Sequence, residues 1–248
     1  YSASICLRPR LRRSGASPAR TKFKHIALYE RVNGDGVYTR LLEMQAELSS
    51  NILLSPFHTL TIENLFPRRP SATHRVLLFH DFARNYTHTY PILFWRLHEK
   101  FNISNPTPRF DIAVAKLNTD FYPFTMKPSV FDEKPATDLD AAIWKTLSTM
   151  DKRLFLTNDL TKYEVKVTNP GKCFEGYGVE LDESMICIDV SDYDDCFIHE
   201  FGPLYAGDKV VGILAVKPRD CDMKLAIFTN VSYYSNWILK ATHTTYYG

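Results

Sequence analysis

Short apolar runs, broken by turn residues, recur along most of the chain. Runs of about four to eight residues that are rich in β-branched and aromatic side chains, and bounded by Gly, Pro, Asn or Asp, are typical of strands. The first half predicts strands at His25–Val32, Val37–Leu42, Asn51–Leu54, Arg75–Phe82, Ile92–His98 and Asp111–Leu117. The second half predicts strands at Leu154–Leu156, Glu164–Thr168, Ser184–Ile188, Lys209–Val216 and Ala226–Thr229.

One helix is predicted, near the C-terminal end. Val231, Tyr234 and Ile238 recur at helical spacing within Val231–Ala241. A Pro- and acid-rich stretch, Pro123–Asp140, separates the two groups of strands and predicts a linker. Many short strands without intervening helices favour an all-β barrel or sandwich, and the pattern does not choose between these two.

Composition fits an ordinary globular β protein. Of the 248 residues, 45% are hydrophobic and 23% are charged, and the 14 prolines exceed the 10 glycines. The sequence holds no apolar run of about 18 residues, so we expect no membrane-spanning helix. Because the first residue is Tyr1 rather than Met, we expect a mature form or a fragment.

The charge is distributed unevenly along the chain. Residues 1–24 carry seven basic side chains and no acidic one, whereas the rest carries 23 basic and 28 acidic side chains. We expect this basic arm to be disordered, and the alternative is a processing or docking segment around Arg10-Leu11-Arg12-Arg13. Nucleic-acid binding is not expected, because the basic residues do not continue into a folded patch.

The cysteines and glycosylation sequons indicate an oxidising, secretory environment. Four of the five cysteines, Cys173, Cys187, Cys196 and Cys221, lie in the last third of the chain, and spacing alone leaves three pairings open. Cys6 is the odd residue, either free or paired outside this chain. The three sequons begin at Asn85, Asn102 and Asn230.

Several segments resemble the chymotrypsin/trypsin family of serine proteases. Ile227–Ile238 is similar to the last strand and helix of that family, and Asp111–Leu117 is similar to the strand that begins at the catalytic aspartate. Gly202-Pro203-Leu204 and Val211-Gly212-Ile213 match the stretch after the nucleophile. The resemblance implies an all-β fold of two six-stranded antiparallel β-barrels with a C-terminal α-helix.

The resemblance also implies a division of the chain and a pairing of its cysteines. Residues 1–24 are then the basic arm, residues 25–122 the first barrel, and residues 123–248 the linker, the second barrel and the C-terminal helix. Two disulfides of the family fit the positions of Cys173 with Cys187 and of Cys196 with Cys221.

The positions of the catalytic triad can be assigned from the same resemblance. His58 takes the place of the base, Asp111 that of the orienting acid and Glu200 that of the nucleophilic serine. Ile198 stands at the glycine of the oxyanion hole, where a Cβ disfavours the required backbone conformation. We therefore expect the triad positions to be vestigial and the chain not to be an enzyme.

Two more changes in the same loop support that expectation. His199 replaces the aspartate that pairs with the new N-terminal amine after activation, and Phe201 replaces a glycine beside the cleft. The substrate-binding stretch of the family corresponds here to Ala215-Val216-Lys217. Asp194 stands at the specificity-pocket position of trypsins. We expect it to be one member of an acidic loop, and the alternative is a surviving pocket for Lys or Arg.

The expected function is that of a secreted, non-catalytic serine-protease homologue like those of invertebrates. Such a pseudoprotease would bind an extracellular protein partner as an adaptor or regulatory module, in an immune or reproductive network. The alternative is a residual serine-type hydrolase with a relocated nucleophile, Ser55 or Thr59 near His58. We expect no cofactor and no metal ion.

Overall fold

A computed structural model describes most of the chain from Ile26 to His243. The described residues are 26–32, 38–49, 52–55, 74–78, 92–102, 104–117, 138–148, 154–194, 196–197, 201–206 and 209–243. They form two antiparallel sheets and two helices. The basic arm expected at residues 1–24 lies outside them, as does most of the linker expected at Pro123–Asp140.

The first sheet is formed by six strands from the N-terminal half. They are β1 (Ile26–Val32), β2 (Tyr38–Ser49), β3 (Ile52–Ser55), β4 (His74–Leu78), β5 (Ile92–Leu97) and β6 (Ala113–Leu117), in the order β4-β1-β2-β3-β6-β5. β6 is central to the site described below, because it pairs with β3 through Ser55 and Ala113 and with β5 through Leu97 and Ala113. The side chains of β6 are almost all buried.

The second sheet is a closed barrel of six strands. They are β7 (Asp138–Ser148), β8 (Leu154–Val167), β9 (Met185–Asp189), β10 (Phe201–Ala206), β11 (Lys209–Val216) and β12 (Leu225–Asn230), in the order β10-β11-β12-β9-β8-β7. The pairing of Leu204 with Ala141 joins β10 to β7 and closes the barrel. The expected all-β fold of two six-stranded antiparallel units is therefore confirmed, with the second unit closed into a barrel.

The core of the barrel explains the nearly continuous apolar runs of β9 and β11. Ile186, Ile188, Leu204 and Phe228 are each at most 4% exposed and pack together. Gly212 lies between strands at the centre of this core, where a Cβ would approach Leu204 Cδ1 to 3.0 Å and Phe228 Cβ to 3.2 Å. A glycine at this position therefore allows the close approach of three neighbouring strands.

A short helix, α1 (Pro170–Tyr177), follows β8 and was not predicted from the sequence. The side chain of Asn169 caps its first turn by accepting a hydrogen bond from Gly171 N at 2.8 Å. Gly178 ends it in the left-handed region, with φ 69°, and its N–H donates to the Phe174 carbonyl. The apolar periodicity of eight residues is too short to be recognised as a helix.

The C-terminal helix, α2 (Ser235–His243), agrees with the prediction and begins four residues later than Val231. Val231, Tyr234, Ile238 and Ala241 are buried on one side of this segment.

The observed strands differ more from the predicted ones in length. β8 is one continuous strand where two short ones were predicted, and β7 and β10 were not predicted, because their sequences lack a clear apolar–polar alternation. No described helix is long and apolar enough to cross a membrane.

Candidate functional site

Asp111 lies where the two sheets meet, two residues before β6. The residue is 1% exposed. Its carbonyl accepts a hydrogen bond at 3.1 Å from the hydroxyl of Thr229, a buried residue of β12. Because Thr229 pairs with Ile213 of β11, the Asp111 backbone is held beside the central strands of the second barrel. The residue assigned as the orienting acid is therefore fixed by contacts from both halves of the chain.

The residue before Asp111 has an unusual backbone conformation. Phe110 has a φ of 61°, in the left-handed region that residues other than glycine rarely adopt. Its N–H donates at 2.9 Å to the hydroxyl of Tyr234, the residue just before α2. Strained backbone of this kind persists only where surrounding contacts enforce it. The Tyr234 hydroxyl is one such contact, and it ties the Asp111 loop to the C-terminal helix.

Aromatic side chains surround this loop. The His98 ring, 6% exposed at the end of β5, stacks on Trp237 with centroids 4.8 Å apart and lies 4.8 Å from the Phe110 ring. Tyr234 meets His98 edge-on at 5.6 Å. Trp237 Nε1 donates at 3.1 Å to the Glu99 carboxylate. These contacts pack α2 against the first sheet beside Asp111.

The same environment perturbs two ionisable groups. Burial lowers the pKa of His98 below its ordinary value, while Glu99 opposes this effect and Lys100 adds to it. Burial also raises the pKa of Tyr234 above its ordinary value, so its hydroxyl stays protonated at neutral pH. Both groups are thus neutral near pH 7, as expected for a packed and partly dehydrated cluster.

The other two triad positions, His58 and Glu200, lie outside the described residues. The oxyanion-hole position, Ile198, lies outside them as well. The backbone of Ser55, at the end of β3, pairs with Ala113, two residues after Asp111. The assignments of His58, Glu200 and Ile198 to catalytic positions stay predictions.

Asp194 is exposed and lies in an acidic loop next to a disulfide. Cys196 is bonded to Cys221, with Cα atoms 4.5 Å apart, and both residues are exposed. Asp189, the last residue of β9 just before this loop, accepts a hydrogen bond from Lys172 at 2.8 Å. Burial acts to raise the pKa of Asp189, but hydrogen bonds from Lys172 and Ser191 outweigh it and lower that pKa. The assignment of Asp194 to a specificity pocket stays a prediction.

The second disulfide joins Cys173 of α1 to Cys187 of β9, with Cα atoms 6.1 Å apart in a buried cluster. The structure thus contains both disulfides that the resemblance implied.

Two of the three sequon asparagines are described, and they differ in environment. Asn102 is exposed, whereas Asn230 is half-buried and its Nδ2 donates at 2.9 Å to the Glu183 carbonyl. Asn85 lies outside the described residues.

The last half of β11 lacks a partner on one side among the strands that the structure describes. β11 pairs with β12 as far as Val216, but its pairing with β10 stops at Gly212. Among the described strands, none pairs with the other side of Ile213–Val216. This open edge adjoins Asp111, because Ile213 is the pairing partner of Thr229. An extended polypeptide can add to such an edge through main-chain hydrogen bonds.

The sequence did not reveal which residues position Asp111. Thr229 and Tyr234 were noted only as parts of a C-terminal motif, and Phe110 gave no signal, because a left-handed φ at a non-glycine residue leaves no trace in the sequence. His98 stands out in the sequence only as the end of a predicted strand.

Comparison with known proteins identifies the family. The trypsin family model matches residues 43–238, and the chain belongs to the trypsin family. It is 23% identical over 150 residues to trypsin epsilon of Drosophila erecta, covering 58% of each chain. It is 28% identical over 126 residues to hypodermin-A of Hypoderma lineatum, covering 49% of this chain and 48% of the relative. The chain thus spans about half the length of the curated relatives it matches.

Solved structures show the same fold. One is neuropsin, a serine protease expressed in the limbic system of mouse brain, with a TM-score of 0.66 and 19% identity over 92% of this chain and 99% of that one. Another is titled HL collagenase, with a TM-score of 0.65 and 18% identity over 90% and 95% of the two chains. The trypsin-like fold implied by the resemblance is confirmed.

These comparisons contradict one expectation, which was therefore wrong. We expected the chain not to be an enzyme, because Glu200 stands at the nucleophile position. The matched relatives are named as trypsins and hypodermins, and the similar structures are titled as a serine protease and a collagenase, so the similarity points to a protease. The expectation depended on a single loop whose central residues, Ile198 to Glu200, lie outside the described part of the chain.

Proposed function

We propose that this chain is a secreted member of the trypsin family that recognises other proteins outside the cell, by binding an extended polypeptide along the open edge of β11. That edge, Ile213–Val216, is the observation that carries the proposal. It supplies main-chain donors and acceptors beside Asp111, whose segment is held by contacts from β12 and from the turn before α2. Its residues are apolar, which suits strand addition.

The disulfides support the extracellular part of the proposal. Disulfides persist in oxidising compartments and are rare in the cytosol. The Cys196–Cys221 bridge is exposed, where cytosolic reductants would reach it. The expected role in an immune or reproductive network stays a prediction.

Peptide-bond hydrolysis is the second candidate, and the names of the relatives favour it. The resemblance assigns Asp111 to the position of the orienting acid and His58 to that of the base. Ser55 and Thr59 are hydroxyl residues that lie within three residues of His58 in the sequence. A hydroxyl group becomes nucleophilic when an adjacent base accepts its proton.

Hydrogen exchange measured by mass spectrometry tests the binding edge. The full chain is mixed with a saturating amount of reduced, carboxymethylated casein as an unfolded polypeptide. We expect slower exchange at the amides of residues 213–217, because a bound strand pairs with them, and unchanged exchange in α1. Unchanged exchange at residues 213–217 under saturating casein would refute the binding edge.

A fluorophosphonate probe, with sequencing of casein fragments, tests hydrolysis. The second candidate predicts specific labelling of a hydroxyl residue together with new casein N-termini, and Ser55→Ala or Thr59→Ala should abolish both. If casein binds but is neither cleaved nor able to compete with labelling, hydrolysis is rejected while the binding proposal stands.

A further inference from the structure

A groove with a cavity of about 410 Å³ lies on the outside of the second barrel. The end of β8, the start of β9 and the turn before α2 form its walls. None of the residues at the assigned catalytic, oxyanion-hole or specificity positions lines it. It therefore has no evident role in the function proposed above.

Two large apolar side chains flank the groove and remain open to solvent. Val167 is 38% exposed and Tyr233 is 52% exposed. Beneath them, Met185 and Ile186 are buried and belong to the wall of the barrel. An apolar side chain placed between Val167 and Tyr233 would cover both, and exposed apolar surface rimmed by polar groups is typical of interaction sites.

The start of β9 presents an open strand edge to the groove. β8 pairs with β9 only at Ile188 and Asp189, and the Thr168 N–H donates to the Cys187 carbonyl at 2.9 Å. The Asn230 N–H donates to the Ser184 carbonyl, so in an antiparallel ladder the backbone groups of the next residue, Met185, point away from β12. The Met185 N–H donates to the Asp182 carbonyl at 3.1 Å, so the Met185 carbonyl is the group that faces the groove side and can accept from an added strand.

Glu183 is the one charged residue among the described residues that line the groove, and the adjacent Asp182 is paired with Arg109 at 2.9 Å. The stretch of chain that supplies most of the groove is rich in acidic residues. Residues 164–195 contain nine acidic and two basic side chains. Both basic residues are engaged, since Lys172 bonds Asp189 at 2.8 Å and Lys166 bonds Asp192 at 3.3 Å. Glu183 lines the groove and is exposed, and no basic side chain in the described part of the chain lies within ion-pair distance of its carboxylate. An occupant with a cation would complement this surface.

We propose that this groove binds an extended segment of a partner protein that carries Lys or Arg next to an apolar residue. The main chain of that segment adds along the edge of β9 at Met185. Its apolar side chain lies between Val167 and Tyr233, and its cation pairs with Glu183. This inference goes beyond the proposed function, because it concerns another edge of the barrel and a partner of defined charge.

Asn230 gives the proposal a requirement that can be tested. It lines the groove, and its side chain is fixed by the Glu183 carbonyl and by the Ser232 hydroxyl, which donates to Asn230 Oδ1 at 2.7 Å. A glycan on this amide would cover the groove. Glycopeptide mass spectrometry of the secreted chain should therefore find Asn230 unmodified, and full occupancy of Asn230 by a glycan would overturn the proposal.

Binding is tested with two pools of fluorescein-labelled heptapeptides that differ only in the central residue. One pool has Arg at the centre and the other has Glu, with Val, Ile, Leu and Thr randomised at the other positions. By fluorescence anisotropy, the full chain should bind the Arg pool at least about tenfold more tightly than the Glu pool. The reason is that an interfacial cation pairs with an exposed carboxylate in a partly dehydrated groove.

Variants of the groove locate the binding. Glu183→Gln should remove most of the preference for the Arg pool, and Tyr233→Ala should weaken binding of that pool by about fivefold or more. The matched controls are Glu175→Gln and Phe174→Ala, which change an exposed acid and an exposed aromatic ring of α1 outside the groove. Circular dichroism in the near ultraviolet confirms that each variant is folded.

Two results would overturn the proposal. One is equal binding of the Arg and Glu pools, and the other is an equal loss of binding in Glu183→Gln and Glu175→Gln. Sedimentation velocity tests whether the occupant is a second copy of this chain. Dimers that dissociate in Glu183→Gln would assign the groove to a second copy of this chain instead of a partner protein. The hydrogen-exchange test of residues 213–217 does not depend on any of these outcomes.

Discussion

At the scale of single residues, packing more than charge decides which protonation state fits the site. His98 is enclosed by Phe110, Tyr234 and Trp237, and its Nδ1 accepts a hydrogen bond from the Lys100 N–H at 3.2 Å. That acceptor requires the Nδ1 atom to be unprotonated. Glu99, whose carboxylate lies 3.9 Å from Nδ1, partly offsets the cost of protonation. The neutral imidazole is thus the form that fits this cluster.

The stability of the fold should therefore decrease in acid through His98. Its pKa is lowered in the folded chain, so the unfolded chain binds the proton more readily. We expect this contribution to the free energy of unfolding to be complete above the ordinary imidazole pKa of 6.5 and to be lost as the pH falls below it. Urea denaturation from pH 7.5 to pH 5 measures the effect.

Two variants isolate the His98 contribution. His98→Phe keeps a ring of similar size and should show a flatter dependence of stability on pH. Glu99→Gln removes the charge that opposes the lowered pKa and should make the dependence steeper. An unchanged pH dependence in both variants would contradict the assignment to His98.

At the scale of elements, the second barrel depends on close approach between strands. β11 lies between β10 and β12, and at Gly212 the three strands are packed so tightly that no side chain fits between them without displacement. Gly178, by contrast, has a φ of 69° but open space around it. The two glycines are therefore needed for different reasons, one for space and one for backbone conformation.

Gly212→Ala should destabilise the fold by about 1–3 kcal/mol, because the new methyl group would overlap the side chains of Leu204 and Phe228. Gly178→Ala serves as the control and should cost about 1 kcal/mol, from the left-handed conformation alone. Thermal denaturation followed by circular dichroism measures both. A smaller loss for Gly212→Ala than for Gly178→Ala would show that the barrel relaxes around the methyl group.

At the scale of the whole molecule, contacts between distant parts of the chain decide where the site lies. The Thr229 hydroxyl and the Tyr234 hydroxyl reach Asp111 and Phe110 across more than one hundred residues of sequence. Both described disulfides, by contrast, lie within the second half of the chain, where they join α1 to β9 and the acidic loop to the turn before β12. The covalent links stabilise the second barrel, and side-chain contacts join the two sheets.

The cysteines give a direct test at this scale. Two bridges among five cysteines leave one free thiol per chain, that of Cys6, unless it is bonded to another molecule. Thiol counting under denaturing, non-reducing conditions should therefore give one at most. A count of two or more would contradict the pairing of Cys173 with Cys187 and of Cys196 with Cys221.

The sequence by itself determined the fold class, the C-terminal helix and the family, because apolar alternation and short motifs are local and survive in a linear reading. Asp111 could be singled out in this way, since it begins a motif. Tertiary structure alone decided how Asp111 is held, since Thr229, Tyr234 and the left-handed Phe110 act through contacts between residues far apart in the chain. Tertiary structure also revealed α1. It alone located the open edge of β11 and the groove at Met185, because an unpaired edge depends on where neighbouring strands stop.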